Sequence, residues 1–76
     1  MTQQIYSIIN ETQDLIDTAI DRSDSIDIIQ GETVVFWLGD YGLRYDEQGF
    51  SLLDSDGYPV EFYDDFEDAL SAWINE

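Results

Sequence analysis

Three short turns that end in glycine divide residues 33–63 into segments of strand length. The turns span Gly39–Gly42, Asp46–Gly49 and Asp54–Gly57. Glycine and aspartate favour tight turns, and the segments between them are rich in the β-branched and aromatic side chains that favour strands. Connections this short join neighbouring antiparallel strands. The middle of the chain therefore predicts an antiparallel β-meander.

The meander should contain three to four strands. The predicted strands are Thr33–Leu38, Leu43–Tyr45, Phe50–Leu53 and Tyr58–Tyr63. The last should be an edge strand, because Pro59 has no N–H to donate to a ladder. Residues 26–29 are also apolar, but so short a run does not distinguish a strand from an extended connection.

Alternation along the strands predicts two different faces. The first face is expected to lie against helices and contains Val34, Phe36, Leu38, Leu43, Tyr45, Phe50, Leu52, Val60 and Phe62. The second contains Val35, Trp37, Arg44, Leu53, Glu61 and Tyr63. A simple hairpin register places Trp37 opposite Arg44, where a cation–π contact is possible. The second face is unusually apolar, so either residues 26–29, a helix or a partner should cover it.

Helical periodicity predicts one helix at each end of the chain. In the first, Thr2–Asp24, the apolar positions are Ile5, Ile8, Ile9, Leu15, Ile16, Ala19 and Ile20. The second starts at an N-cap, Asp64 or Asp65, with Asp64 and Glu67 spaced as in a capping box. Its apolar positions are Phe66, Ala69, Leu70, Trp73 and Ile74. The expected architecture is a single α+β domain over residues 1–76, a small meander flanked by an N-terminal and a C-terminal helix.

Acidic residues outnumber basic ones by 18 to 2, lysine is absent and the formal net charge is −16. Such charge often accompanies disorder, but 43% of the residues are hydrophobic and their periodicity indicates a folded domain. Like charges disfavour nucleic acid and anionic membrane as direct partners and favour a basic protein surface. The start of the chain lacks the features of a signal peptide and no apolar run reaches the roughly 20 residues of a membrane span, so we expect a cytoplasmic protein.

The residue types present do not favour catalysis. Without cysteine or histidine there is no thiolate nucleophile, thiolate metal site or Ser–His pair. The Asp54–Gly57 turn does not fit an EF-hand, since the alignment places Leu52 and Tyr63 at ligand positions. We expect no enzyme activity, no metal and no cofactor.

Carboxylates recur at steps of three and four on the polar side of the first predicted helix. The row comprises Glu11, Asp14, Asp17, Asp21 and Asp24. Its members should lie about 4.5 to 6 Å apart along the axis, comparable with one phosphate per roughly 3.4 Å of each DNA strand. A second acidic group comprises Asp64, Asp65, Glu67 and Asp68. The expected apolar anchors for a partner are Trp37, Tyr41 and Tyr63.

In size, acidity, lack of lysine and α/β make-up, the chain resembles small acidic DNA-mimic proteins of phages and other mobile elements. That class includes anti-CRISPR proteins, anti-restriction proteins and uracil-DNA glycosylase inhibitors. The resemblance covers the whole chain but rests on no motif, so no family's functional residues carry over. It implies a protein that occupies the nucleic-acid channel of a Cas effector, a restriction enzyme or a repair enzyme and blocks it without chemistry.

Four other interpretations remain open, one of which is a metal-dependent activity. An acidic immunity protein or antitoxin would neutralise a basic nuclease toxin by the same physics. A small structural or regulatory subunit, or a homodimer, would bind instead through the aromatic face of the sheet. In the last, the acids serve only solubility or adaptation to high salt, for which acids scattered over every loop are typical.

Overall fold

The computed structural model describes the backbone of residues 2–75 and the side chains of residues 4–75. Its elements in chain order are α1 Thr2–Ile8, α2 Gln13–Arg22, β1 Ser25–Ile29, β2 Thr33–Leu38, β3 Tyr41–Asp46, β4 Gly49–Leu53, β5 Pro59–Tyr63 and α3 Phe66–Ile74. The five strands form one antiparallel sheet in sequence order. The predicted α+β meander is thus confirmed, with one more strand than expected, because residues 26–29 belong to the edge strand β1.

The long first helix predicted over residues 2–24 is wrong, because residues 9–12 interrupt it. Thr12 adopts an extended conformation as the N-cap of α2, with φ −60° and ψ 133°. Asn10 and Thr12 have side chains that compete for backbone hydrogen bonds and favour helix ends. Ile9 nevertheless stays buried in the core, so the apolar period runs through the break. This is why the pattern alone predicted one helix.

All three helices pack on one face of the sheet. The core between them contains Ile5, Ile9, Ile16, Ala19, Val34, Phe36, Leu43, Phe50, Leu52, Phe66, Ala69, Leu70 and Trp73. At its centre Trp73 packs against Phe36 and donates from Nε1 to the carbonyl of Tyr41 at 3.3 Å. Phe66 stacks on Phe50 with ring centroids 4.6 Å apart. Within residues 2–75, no helix covers the opposite face, which we call the open face.

The predicted pairing of Trp37 with Arg44 is also wrong. The turn between β2 and β3 has only two residues, Gly39 and Asp40, so Leu38 pairs with Tyr41. Trp37 therefore lies opposite Gly42, and Arg44 lies opposite Val35. The four-residue turn assumed from the sequence would have begun β3 two residues later, which is why the predicted partner of Arg44 is wrong by two residues along β2.

A β-bulge reverses the predicted orientation of β5. Leu53 pairs with Pro59 but Leu52 pairs with Glu61, which leaves Val60 as an extra residue. One extra residue exchanges the two faces of a strand. Phe62 consequently lies opposite Ser51 on the open face, whereas Tyr63 lies opposite Phe50 and packs against the core. The expectation that Val60 and Phe62 are core residues is therefore wrong.

The last helix begins at Phe66, after the N-cap Asp65, whose side chain accepts a hydrogen bond from the Glu67 N–H at 3.2 Å. This selects Asp65 over Asp64 as the N-cap and removes the predicted capping box, because Glu67 is then one residue too early for it. α3 ends at Ile74, followed by the C-cap Asn75. In residues 2–75, no helix is long and apolar enough to cross a membrane.

Candidate partner-binding surfaces

The outward side of α2 carries three exposed carboxylates, Asp14, Asp17 and Asp21. Ile16 and Ala19 bury the opposite side of this helix in the core. Steps of three and four place the carboxylates in one row along the helix. This part of the predicted acidic row is present in the fold, and we call it the α2 row.

One member of the α2 row also connects two helices. The hydroxyl of Tyr6 on α1 donates a hydrogen bond to Oδ1 of Asp17 on α2. Hydrogen bonding to this carboxylate, with a smaller contribution from burial and charge, raises the pKa of Tyr6. Asp17 therefore holds α1 against α2 in addition to contributing negative charge.

The two outer members of the predicted row lie outside the helices. Glu11 is exposed in the connection between α1 and α2. Asp24 precedes β1, and its Oδ2 accepts a hydrogen bond from the Gly39 N–H at 2.9 Å. Asp24 thus stabilises the turn between β2 and β3. Because neither Glu11 nor Asp24 is helical, the continuous row on the helix has three members instead of the five predicted.

The second acidic group surrounds the start of α3. Asp64 is exposed between β5 and α3, Asp65 is the N-cap, and Glu67 and Asp68 occupy the first helical turn. Carboxylates near a helix N-terminus interact favourably with its dipole, so this cluster stabilises α3 as well as charging the surface. α3 packs beside α2, and Glu67 lines a shallow groove between them together with Leu15, Leu70 and Ile74.

Of the three predicted aromatic anchors, only Trp37 lies on the open face. Its Nε1 donates to Oδ2 of Asp27 at 3.2 Å, and the ring is half-buried over Gly42. Tyr41 is exposed and lies at the start of β3 on the helix-bearing face. Tyr63 is half-buried on that same face, and its hydroxyl donates to Glu61. The structure therefore separates these three side chains instead of forming one aromatic cluster.

Arg44 occupies the middle of the open face. Register places Asp27, Val35, Arg44, Ser51 and Phe62 side by side across the five strands. Nη2 of Arg44 lies 3.1 Å from Oδ2 of Asp46, and this is the only ion pair among the described residues. Nε of Arg44 is buried and has no hydrogen-bond partner in the described part of the chain.

A cavity of about 180 Å³ lies beside Arg44 at the β5 side of the open face. Its walls include Asp46, Ser51, Pro59, Phe62 and Asp64. The cavity thus joins an aromatic side chain to two carboxylates, one of which is already paired with Arg44. Over residues 2–75, no three acidic side chains converge closely enough to hold a metal ion.

The sequence did not identify Phe62 and Val60 as surface residues. Phe62 is 77% exposed and Val60 is 57% exposed, although both are large hydrophobic side chains. The available signal was Pro59, since proline inside a strand marks an edge or a bulge. A bulge at that position implies the opposite orientation for the residues that follow.

Comparison of the chain with known protein families, curated proteins and solved structures finds no match. Two surfaces of the protein are therefore the candidates for partner binding, the α2 row with the acids of α3 and the open face of the sheet.

Proposed function

We propose that this protein is a non-enzymatic inhibitor whose acidic helices take the place of nucleic-acid phosphates in the basic groove of a nucleic-acid-binding protein. The observation that supports this most directly is the α2 row, three aligned and exposed carboxylates on the side of α2 that faces away from the sheet. Because only one ion pair is present in the described part of the chain, most of the negative charge remains available to a partner.

The arrangement of the helices adds a second support. α2 and α3 lie side by side, so the α2 row and the carboxylates Glu67 and Asp68 belong to one helical layer. A protein that meets this layer encounters negative charge from two neighbouring helices, as a DNA-binding groove encounters two phosphate backbones. Such complementarity chiefly raises the association rate and selects the partner. In the cell, the partner would be a Cas effector, a restriction enzyme or a repair enzyme.

The experiment is a capture from bacterial lysate followed by an activity assay. The immobilised protein should retain a basic nucleic-acid enzyme that duplex DNA or salt releases, and the purified enzyme should be inhibited stoichiometrically. Inhibition should fall at least tenfold in the variant Asp14→Lys, Asp17→Lys, Asp21→Lys. A second variant, Asp14→Lys with Asp21→Lys, keeps the Tyr6–Asp17 hydrogen bond and separates loss of charge from loss of helix packing.

A matched control reverses three exposed acids outside the helical layer, Glu32, Asp40 and Glu47. It changes the net charge by the same amount as the triple α2 variant. If the control loses as much inhibition as the α2 variant, only total charge matters and the mimicry proposal is wrong. Full inhibition by the α2 variant would also contradict it.

A basic nuclease toxin remains the second candidate partner, because the same acidic layer fits its active groove. The identity of the captured enzyme distinguishes a toxin from a defence or repair enzyme. A toxin would be encoded beside this protein and would be toxic on its own, whereas a defence or repair enzyme would not be.

A further inference from the structure

We propose that the exposed apolar edge formed by Val60 and Phe62 on β5, which we call the β5 edge, anchors an extended basic segment of a partner protein. The inference shares with the proposed function only the premise that the partner is basic. The β5 edge lies at the open face of the sheet, away from the helical layer. It would supply apolar contacts to the partner, which the carboxylates of the helices cannot.

The first observation is the concentration of exposed apolar surface at this edge. Phe62 is the most exposed large hydrophobic residue among those described, and Tyr58 and Val60 follow it. The other two are Ile29 at the opposite edge of the sheet and Tyr41. A contiguous exposed apolar patch on a monomeric protein often marks an interaction site.

The second observation is that β5 ends the sheet. It pairs with β4 on one side, and no strand of residues 2–75 lies on its other side. An edge strand presents backbone N–H and C=O groups to a further strand. Proteins often protect such an edge with proline, a bulge or an inward-pointing charge, and β5 has Pro59, the bulge at Val60 and Glu61 opposite Leu52 on the helix-bearing face. These features oppose pairing with an apolar strand or a second copy of β5. A basic side chain facing Glu61 is favourable, so the regularly paired residues 61–63 remain open to an extended basic segment, whose alternate side chains match the strand repeat.

Charge selects the occupant. Asp64 lines the cavity beside Phe62, together with Asp46, which is paired with Arg44, and Asp54 and Asp56 occupy the turn that precedes β5. A second copy of this chain would bring a net charge of −16 against the same charge, which opposes self-association. A segment with alternating basic and apolar side chains satisfies both the carboxylates and Phe62.

The test uses three short synthetic peptides and the isotope-labelled protein. One alternates lysine and leucine, one lysine and serine, and one glutamate and leucine. We expect the lysine–leucine peptide to bind and to shift the amide resonances of β5 in NMR titrations. The lysine–serine peptide should bind at least tenfold more weakly, and the glutamate–leucine peptide should not bind measurably.

Variants then assign the site. Phe62→Ser should weaken binding of the lysine–leucine peptide at least tenfold, and Val60→Ser should weaken it severalfold. Ile29→Ser is the matched control, an exposed apolar residue on the opposite edge strand, and should leave the affinity unchanged within twofold. Thermal melting confirms that each variant is folded, since all three positions are exposed in the native protein.

Three results would overturn the inference. One is equal affinity for the lysine–leucine and lysine–serine peptides, and another is unchanged affinity after Phe62→Ser. The third is concentration-dependent self-association that Phe62→Ser abolishes, which would assign the β5 edge to a second copy. Peptide binding at β5 together with unaltered inhibition by the α2 variants would contradict the proposed function alone. Loss of inhibition in the α2 variants without peptide binding would contradict this inference alone.

Discussion

Trp37 lies directly opposite Gly42, and its indole ring fills the space that a side chain at residue 42 would need. A Cβ atom on Gly42 would lie 3.0 Å from Cζ3 of Trp37 and 3.3 Å from Cβ of Leu53. Gly42 does not have a positive φ. Glycine is therefore required here because a side chain would not fit, and not because of the backbone conformation. This contact fixes the position of Trp37 on the open face.

Gly42→Ala should therefore destabilise the fold. Forcing a methyl group against a packed ring costs about 1–3 kcal/mol, measurable as a lower midpoint in urea unfolding. In a Trp37→Ala background the same substitution should cost clearly less, because the ring that opposes the methyl is gone. An identical cost in both backgrounds would show that Trp37 is not the cause.

Tyr6→Phe should change how stability depends on pH. The Asp17 carboxylate accepts the hydroxyl hydrogen bond and raises the pKa of Tyr6 above its ordinary value of 10.0. A raised pKa in the folded state means that the contribution is complete below about pH 10 and is lost as the pH rises through the folded-state value. Urea midpoints should thus fall more steeply above pH 10 in the wild type than in Tyr6→Phe. Parallel profiles would show that the two residues are not linked in solution.

Asp65→Ala should destabilise α3 through loss of its N-cap. Replacing a capping aspartate by alanine costs about 0.5–2 kcal/mol, and Asp65 accepts the Glu67 N–H. Asp64→Ala removes the same charge one residue earlier and is the control, with an expected cost below about 0.5 kcal/mol. Chemical unfolding of the two variants measures the difference. Equal effects would indicate that charge near the helix end, and not the cap, is responsible.

Added salt should stabilise the protein. Raising KCl from about 0.01 M to about 1 M shortens the screening length from about 30 Å to about 3 Å. Screening relieves the repulsion of a net charge of −16 and sacrifices little attraction, because the described residues contain one ion pair. The Tm should rise by several degrees, since about 1 kcal/mol moves the Tm of a domain this size by about 4–8 °C. The Asp14→Lys, Asp21→Lys variant should show a smaller rise. A Tm that falls with KCl would contradict this account.

The order of strands was readable from the sequence because local chemistry determines it. Glycine and aspartate mark the turns, and β-branched and aromatic residues mark β2 and β4 almost to their ends. Short connections leave few alternatives to a meander. The same kind of local rule placed the N-cap of α3 at Asp64 or Asp65, and the structure selects Asp65. The excess of acidic over basic residues was visible in the composition. Helical spacing predicted the three carboxylates of the α2 row, Asp14, Asp17 and Asp21.

Tertiary structure decided which side chains the surfaces present. The bulge at Val60 reverses β5 because one extra residue exchanges the two faces of a strand, and this moves Phe62 to the open face and packs Tyr63 against the core. The two-residue turn after Leu38 places Trp37 over Gly42 instead of Arg44. The break after Ile8 shortens the acidic row without disturbing the apolar period. Each outcome depends on a one- or two-residue adjustment of a turn, a bulge or a helix end, which the periodicity of the segment does not register. Pairing and packing with other parts of the chain then decide which side chains meet.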